Sequence, residues 1–173
     1  MPSKRLTKAE RMRIYNMYGG RCAYCGKEIT YREMQVDHVK PVFRGWDEHL
    51  KQHLPDGHLG TDEVSNYHPS CRPCNFRKST SDIEGFRGAI EHGITCLKRD
   101  FTYRMMLRYG LVEETPKRVL FHFEQVQLGI ADMPEQQKRQ LIDKLFADAE
   151  NIAEALSDTK IQNILYNQLK LSL

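Results

Sequence analysis

Long apolar runs are missing from this sequence: nothing approaches the roughly 18 consecutive apolar residues that a membrane span needs, and mean hydropathy is -0.63. A bilayer role is excluded on that ground. The start, MPSKRLTKAERMRIY, is basic but lacks the apolar core of a secretory leader. A reducing, cytoplasmic setting is therefore expected, and disulfides are a poor default for the 5 cysteines. Internal repeats and low-complexity tracts are also lacking, so the organisation has to be read from periodicity and from punctuation by Gly and Pro. Charge of one sign is scarce: 26 Lys and Arg oppose 23 Asp and Glu, a net charge of +3. Polyanion binding would have to come from local clustering.

Such clusters exist. Lys4, Arg5, Lys8, Arg11 and Arg13 form one, Arg72, Arg77 and Lys78 a second, and Arg87 to Arg108 a third, whereas the chain beyond residue 130 is closer to balanced. Punctuation by Gly and Pro then divides the 173 residues into regions. Residues 7–18 read as a helix with Thr7 as N-cap and Gly19-Gly20 as the stop. Short β-prone pieces follow, Glu28 to Tyr31 and Met34 to Val39, broken by the turn residues Gly26 and Lys27. Residues 43–65 read as a polar connection. From Pro73 or Asn75 onward one or two helices are expected, with Phe86, Ile90, Leu97, Phe101, Met105 and Leu107 as apolar positions. Val119 to Phe123 reads as a short strand. Pro134 opens a stretch in which Leu141, Leu145, Ala149, Ile152 and Leu156 recur at helical spacing, and Ile161, Ile164, Leu165 and Leu169 continue it after a Ser157-Asp158 break. This predicts a C-terminal helical hairpin.

The cysteines carry the strongest chemical signal. Cys22 and Cys25 make one CxxC and Cys71 and Cys74 another; each spacing lets a tight turn present two thiolates to one ion. Four soft thiolates suit zinc, and a closed four-sulfur shell leaves no position for substrate, so the role is structural. The ordinary alternatives are a redox CxxC or buried thiols. Cys96 has no partner spacing. The stretch between the two pairs is longer than in a simple zinc ribbon, which implies a loop that carries something else. That something is Asp37-His38 in QVDHVKP, a carboxylate and an imidazole at the end of an expected strand. Alternation would send the two side chains to opposite faces, so a local irregularity is expected to bring them together. Asn66 before the second CxxC and Asn75 directly after it complete the constellation; each alone would read as a turn or cap residue.

GGRCAYCG, VDHVKP and NYHPSCRPCNFRKS together resemble the HNH (ββα-metal) nuclease family, over roughly residues 10 to 90. The family's last His is here Asn75, as in its HNN members, which include the HNH domains of CRISPR effector nucleases. The stretch containing FRGAI, YRMMLRYGL and VLFHFE further resembles small HNH proteins of bacteria and their phages, which makes a bacterial cell or phage-infected host the expected setting. The resemblance implies an α+β fold: a ββα-metal core, about residues 19–92 of a nuclease domain spanning 1–130, with zinc-knuckle CxxC pairs and flanking helices, followed by the helical extension 131–173.

It also implies an activity, metal-dependent hydrolysis of DNA phosphodiester bonds that leaves 5′-phosphate and 3′-hydroxyl ends. His38 would be the general base, since a neutral imidazole can accept a proton at cytoplasmic pH. Asp37 and Asn75 would hold one hard divalent ion, Mg²⁺ or Mn²⁺. Asn66 would brace the loop that orients His38. Arg72, Arg77 and Lys78 would grip the DNA backbone beside a helix N-terminus. The competing class is a noncatalytic zinc-knuckle nucleic-acid-binding or interaction protein, which would keep the cysteines without needing Asp37, His38 and Asn75 together. His49, His53 and His58 in WDEHLKQHLPDGH read as a polar insertion before they read as a metal site. His68 reads as a loop residue that could approach an ion or a phosphate, and Trp46, the single tryptophan, as packing for that insertion. The extension either completes the core or supplies a homodimer or partner-docking surface.

Overall fold

The computed structural model describes residues 5–54, 57–114 and 118–155. The chain forms two compact units, Met1–His122 and Phe123–Leu173. The first opens with α1 (Lys8–Asn16), whose start is fixed by a capping box. Thr7 Oγ1 accepts from the Glu10 amide at 3.1 Å and the Glu10 carboxylate accepts from the Thr7 amide at 2.8 Å, so two orphan donors are satisfied locally. Gly19 and Gly20, both at positive φ, end the turn. Ile14 is the buried face of α1, and polar side chains dock the helix on the next loop: Arg11 donates to the Met34 carbonyl at 2.6 Å and Tyr15 to that of Ile29 at 3.1 Å.

β1 (Gln35–His38) and β2 (Tyr67–Ser70) make a two-stranded antiparallel sheet in which Asp37 pairs with His68 and His38 with Tyr67. The strand expected over Glu28 to Tyr31 is reduced to a bridge between Glu28 and Arg21. Thr30 and Glu33 bond each other's amides, at 3.2 and 3.3 Å, and this local turn wins over β propensity. β2 went unanticipated because Pro69 argues against a central strand; it is tolerated here because only its carbonyl is asked for, by the Ala23 amide at 2.8 Å. The polar connection contains a short α2 (Glu48–Gln52) and a 3₁₀ turn over Val64–Asn66.

After β2 the chain enters α3 (Arg72–Lys78), then α4 (Ile83–Glu91), α5 (Gly93–Leu97) and α6 (Phe101–Arg108). Asp82 and Asp100 cap α4 and α6 through their carboxylates. An aromatic cluster joins α4 to the Cys22–Cys25 turn. Phe86 stacks on Phe121 with ring centroids 5.1 Å apart, and Tyr24 meets both rings edge-on. Phe121 is thus an anchor in irregular chain and not part of the strand expected over Val119 to Phe123: the His122 amide donates to the Tyr24 carbonyl at 3.0 Å, and α7 (His122–Gln127) begins at once. The second unit contains α8 (Glu135–Ala155), preceded by Pro134 as expected. The second arm of the expected hairpin, Ile161 to Leu169, lies outside the described residues. Among the described residues no helix is long and apolar enough to cross a membrane.

Candidate functional site

The two CxxC turns meet. The Cys22 carbonyl accepts from the Gly26 amide at 3.0 Å, closing the first turn, while Cys71 is the N-cap of α3 and Cys74 lies in its first turn. The four sulfurs lie within 4.8 Å of one another, and none is in a disulfide. Zinc at about 2.3 Å from each sulfur requires sulfurs about 3.8 Å apart at tetrahedral angles; Cys25 Sγ and Cys71 Sγ are 3.8 Å apart. The donor set therefore fits a metal such as zinc. Crowding divides the thiols: hydrogen bonds from Cys25 and Cys74 hold the Cys22 thiol well below its usual range, whereas that contact with Cys22 pushes Cys25 up to about 11.

Asp37 and His38 occupy different surroundings. β1 runs in register through both residues, so the irregularity expected between them is absent and alternation sends them to opposite faces. Asp37 is 6% exposed, and its Oδ2 accepts from the Tyr24 hydroxyl and lies 3.0 Å from Lys78 Nζ. Burial pushes this carboxyl up, against the opposing pull of the Lys78 ammonium and the Tyr24 hydrogen bond. Burial and the Asp37 charge likewise push the Tyr24 phenol up, keeping it a donor. Lys78 was expected on the phosphate-gripping face, yet it is 0% exposed. Its ammonium also donates to the His38 carbonyl at 2.7 Å, and so ties α3 to the end of β1. A buried ammonium must be paired, which is why this lysine turns inward while Arg72 and Arg77 stay exposed.

His38 faces Asp62, with Nε2 2.8 Å from Oδ1, and packs edge-on against the Tyr67 ring at 4.7 Å. Asn66 behaves as a brace: its Oδ1 accepts from the Lys40 amide at 2.9 Å, and its Nδ2 donates to the carbonyls of Lys40 at 3.0 Å and Thr61 at 2.9 Å. Gly60 is needed beside it, since a Cβ there would lie 2.0 Å from the Lys40 carbonyl oxygen and 2.6 Å from Asn66 Nδ2. Asn75 sits on α3 one turn before Lys78, so the two are neighbours on the helix surface. Among the described residues its carboxamide has no hydrogen-bond partner, which leaves an oxygen donor on the helix that reaches Asp37. A surface cavity of about 440 Å³, lined by Arg13, Met17, Glu63, Val64 and Ser65, shares none of these side chains.

His68 lies half-buried in β2 and not in a loop. Its Nε2 meets the Tyr18 hydroxyl at 3.2 Å, and burial, with Lys78 nearby, lowers its pKa to about 4. In the insertion His53 Nδ1 caps back on the His49 carbonyl at 2.7 Å and His58 pairs with Asp82 at 3.4 Å. Trp46 packs on Phe43. Reasoning from spacing missed Asp62, Arg44, Tyr24 and Tyr67. Asp62 lies four residues before Asn66, but its contact with His38 spans a long loop and leaves no periodic signal.

Comparison with known proteins gives three findings. No curated protein matches the chain. A crystal structure of the type II-C Cas9 enzyme from Actinomyces naeslundii is similar at 21% identity and a TM-score of 0.36, over 50% of this chain and 9% of that one; so slight a likeness carries no argument here. Residues 22–81 match the HNH endonuclease family. That segment runs from the first zinc-knuckle cysteine through β1, β2 and α3, with the mixed helices and small antiparallel sheet of a ββα-metal core around the cysteine cluster. The chain therefore carries an HNH endonuclease domain at residues 22–81.

Proposed function

We propose that this protein is a metal-dependent endonuclease that hydrolyses DNA phosphodiester bonds, with zinc at the four cysteines as a structural ion. One observation carries the reading: an HNH-family segment in which an imidazole, a carboxylate and a carboxamide, His38, Asp37 and Asn75, hang on the strand and helix that Lys78 ties together. Asp37 and Asn75 are the oxygen donors for one hard divalent ion, Mg²⁺ or Mn²⁺. When bound, such an ion neutralises charge on the scissile phosphate and on the leaving 3′ oxygen. His38 takes the proton of the attacking water. Asn66 holds the Lys40 and Thr61 backbone, and so the loop that follows His38, in place. Lys78 neutralises Asp37 and fixes α3 against β1. Arg72 and Arg77, exposed on α3, supply phosphate contacts, which carry no base information. Phe76 lies between Asn75 and Arg77 and is 84% exposed, an aromatic face available for stacking on a base. Products carry 5′-phosphate ends.

A second reading has its own support. Asp37 is already matched by an ammonium and a phenol, as it would be in a noncatalytic zinc-knuckle module that binds nucleic acid through Arg72 and Arg77. Incubation of supercoiled plasmid with Mg²⁺, Mn²⁺ or chelator decides between them. The nuclease reading expects metal-dependent nicking or linearisation, abolished by His38→Ala with zinc content and melting temperature unchanged. Cleavage that survives in the His38 variant removes that residue from its role; DNA retention without any cleavage selects the binding module.

A further inference from the structure

Asp62 is the most heavily used acceptor beside the proposed base. Its Oδ1 lies 2.8 Å from His38 Nε2, 2.5 Å from Arg44 Nη2 and 3.2 Å from the Tyr67 hydroxyl. Arg and Tyr bring hydrogens only as donors in this geometry, and an ionised carboxylate brings none. The hydrogen bond from His38, followed by those from Tyr67 and the Arg44 charge, holds the Asp62 carboxyl below its usual range, so it stays an acceptor. A nitrogen 2.8 Å from such an oxygen must carry the proton; a lone pair there would face a negative charge. In neutral imidazole the other nitrogen then holds the lone pair. Arg44 Nη2 also lies 3.4 Å from the same Nε2; with the proton on Nε2 both groups are donors, so Arg44 acts on the ring only through the Asp62 carboxylate that it holds. Tyr67 completes the clamp by packing edge-on against the imidazole while its hydroxyl donates to the same carboxylate.

We propose that Asp62 is a positioning residue, held in place by Arg44 and Tyr67, which keeps the proton on His38 Nε2 and leaves Nδ1 to accept the proton of the attacking water. The catalytic part of this rests on the nuclease reading, whereas the pairing of Asp62 with His38 does not. Carboxylates that orient a histidine in this way influence activity through the ring they hold, and their loss costs about 10- to 100-fold.

The experiment records long-range ¹H–¹⁵N spectra of the histidine rings in full-length, zinc-loaded protein, with His38 assigned from the spectrum of His38→Gln. The same preparations are assayed for plasmid cleavage and for Mn²⁺ affinity by electron paramagnetic resonance. Wild-type His38 is expected as the neutral Nε2–H tautomer. Asp62→Ala is expected to mix the tautomers and to lower kcat by about 10- to 100-fold with KM and Mn²⁺ affinity within about two-fold, while Asp62→Asn, which keeps an acceptor oxygen, retains most of the tautomer and part of the rate. Should Asp62→Ala fail to fold, Asp62→Asn and Arg44→Gln are compared instead, both expected to shift the tautomer partway. An unchanged His38 spectrum in these variants overturns the proposal, and so does a loss of Mn²⁺ affinity, which would make Asp62 an ion ligand. If wild-type protein does not cleave DNA, the nuclease reading fails on its own and the ring spectra still decide the pairing.

Discussion

An ammonium with no exposed surface is costly unless something answers it, and Lys78 is answered by Asp37 Oδ2 and by the His38 carbonyl. Removing one partner of such a pair leaves an uncompensated buried charge, worth about 3–5 kcal/mol. Lys78→Ala is therefore expected to lower stability by about that amount in urea unfolding, and Lys78→Met combined with Asp37→Asn to recover much of it, because charge and desolvation leave together. A loss below about 1 kcal/mol in Lys78→Ala would mean that the pair is solvated. His68 makes a pH-dependent contribution of a different kind. Its folded-state pKa is lowered to about 4, first by burial and then by Lys78, so between the ordinary value near 6.5 and about 4 the unfolded chain binds the proton and the folded one does not. Stability from this site is complete above pH 6.5 and drains away as pH falls toward 4, by at most ~3 kcal/mol. His68→Gln should flatten that part of the stability profile; a difference between variant and wild type that does not change from pH 7 to pH 4.5 would contradict it. At this scale the sequence was informative about which residue types matter and silent about their partners. Asp37, His38, Asn66 and Asn75 stand out by spacing, whereas Tyr24, Asp62 and Arg44 reach them only across the fold.

Among the elements, local chemistry set the boundaries and long-range contact set the identities. The Thr7 N-cap is readable in the sequence, and α1 completes it with Glu10 as a capping box, so Thr7→Ala should cost about 1 kcal/mol in thermal or urea unfolding, with zinc content unchanged. The loop after β1 depends on a close approach instead. Gly60 leaves no room for a Cβ against Lys40 and Asn66, and Gly60→Ala should separate Asn66 from the backbone it braces. Cleavage would then fall as it does in Asn66→Ala, on the order of 10- to 100-fold, and the double variant should be no worse than either alone. Additive losses would show that the two residues act separately. The strands tell the opposite story: Glu28 to Tyr31 has β propensity but closes into a turn, while Tyr67–Ser70, with its proline, pairs with β1. β propensity describes fit to a neighbour, so it misleads where the neighbour is unknown.

For the molecule as a whole, the four-cysteine cluster joins the turn before β1 to the N-terminus of α3, two segments far apart in sequence. A zinc ion bound there would stabilise the folded state by its binding free energy, because the unfolded chain has no assembled site. Elemental analysis of purified protein is expected to give one zinc per chain. Chelation strong enough to remove zinc should unfold the first unit, seen as loss of ellipticity and of the melting transition, whereas removal of Mg²⁺ alone should stop cleavage and leave the fold intact. Cys22→Ser should reproduce the zinc-free behaviour. A folded, zinc-free protein with four reduced thiols would remove the structural role of the cluster.

Spacing alone picked out the paired CxxC motifs and the capped first helix, and the resemblance to HNH nucleases picked out Asp37-His38 and the two asparagines, because each of these signals is written in residues near one another along the chain. Tertiary structure decided what those residues face. It buried Lys78 against Asp37, turned His38 toward Asp62, placed His68 on β2 against Tyr18 and made Phe121 an anchor instead of a strand residue. The reason is physical: covalent neighbours and turn chemistry are local, whereas desolvation and ion pairing depend on which segments fold together, and these interactions determine whether a charged side chain meets water or a partner.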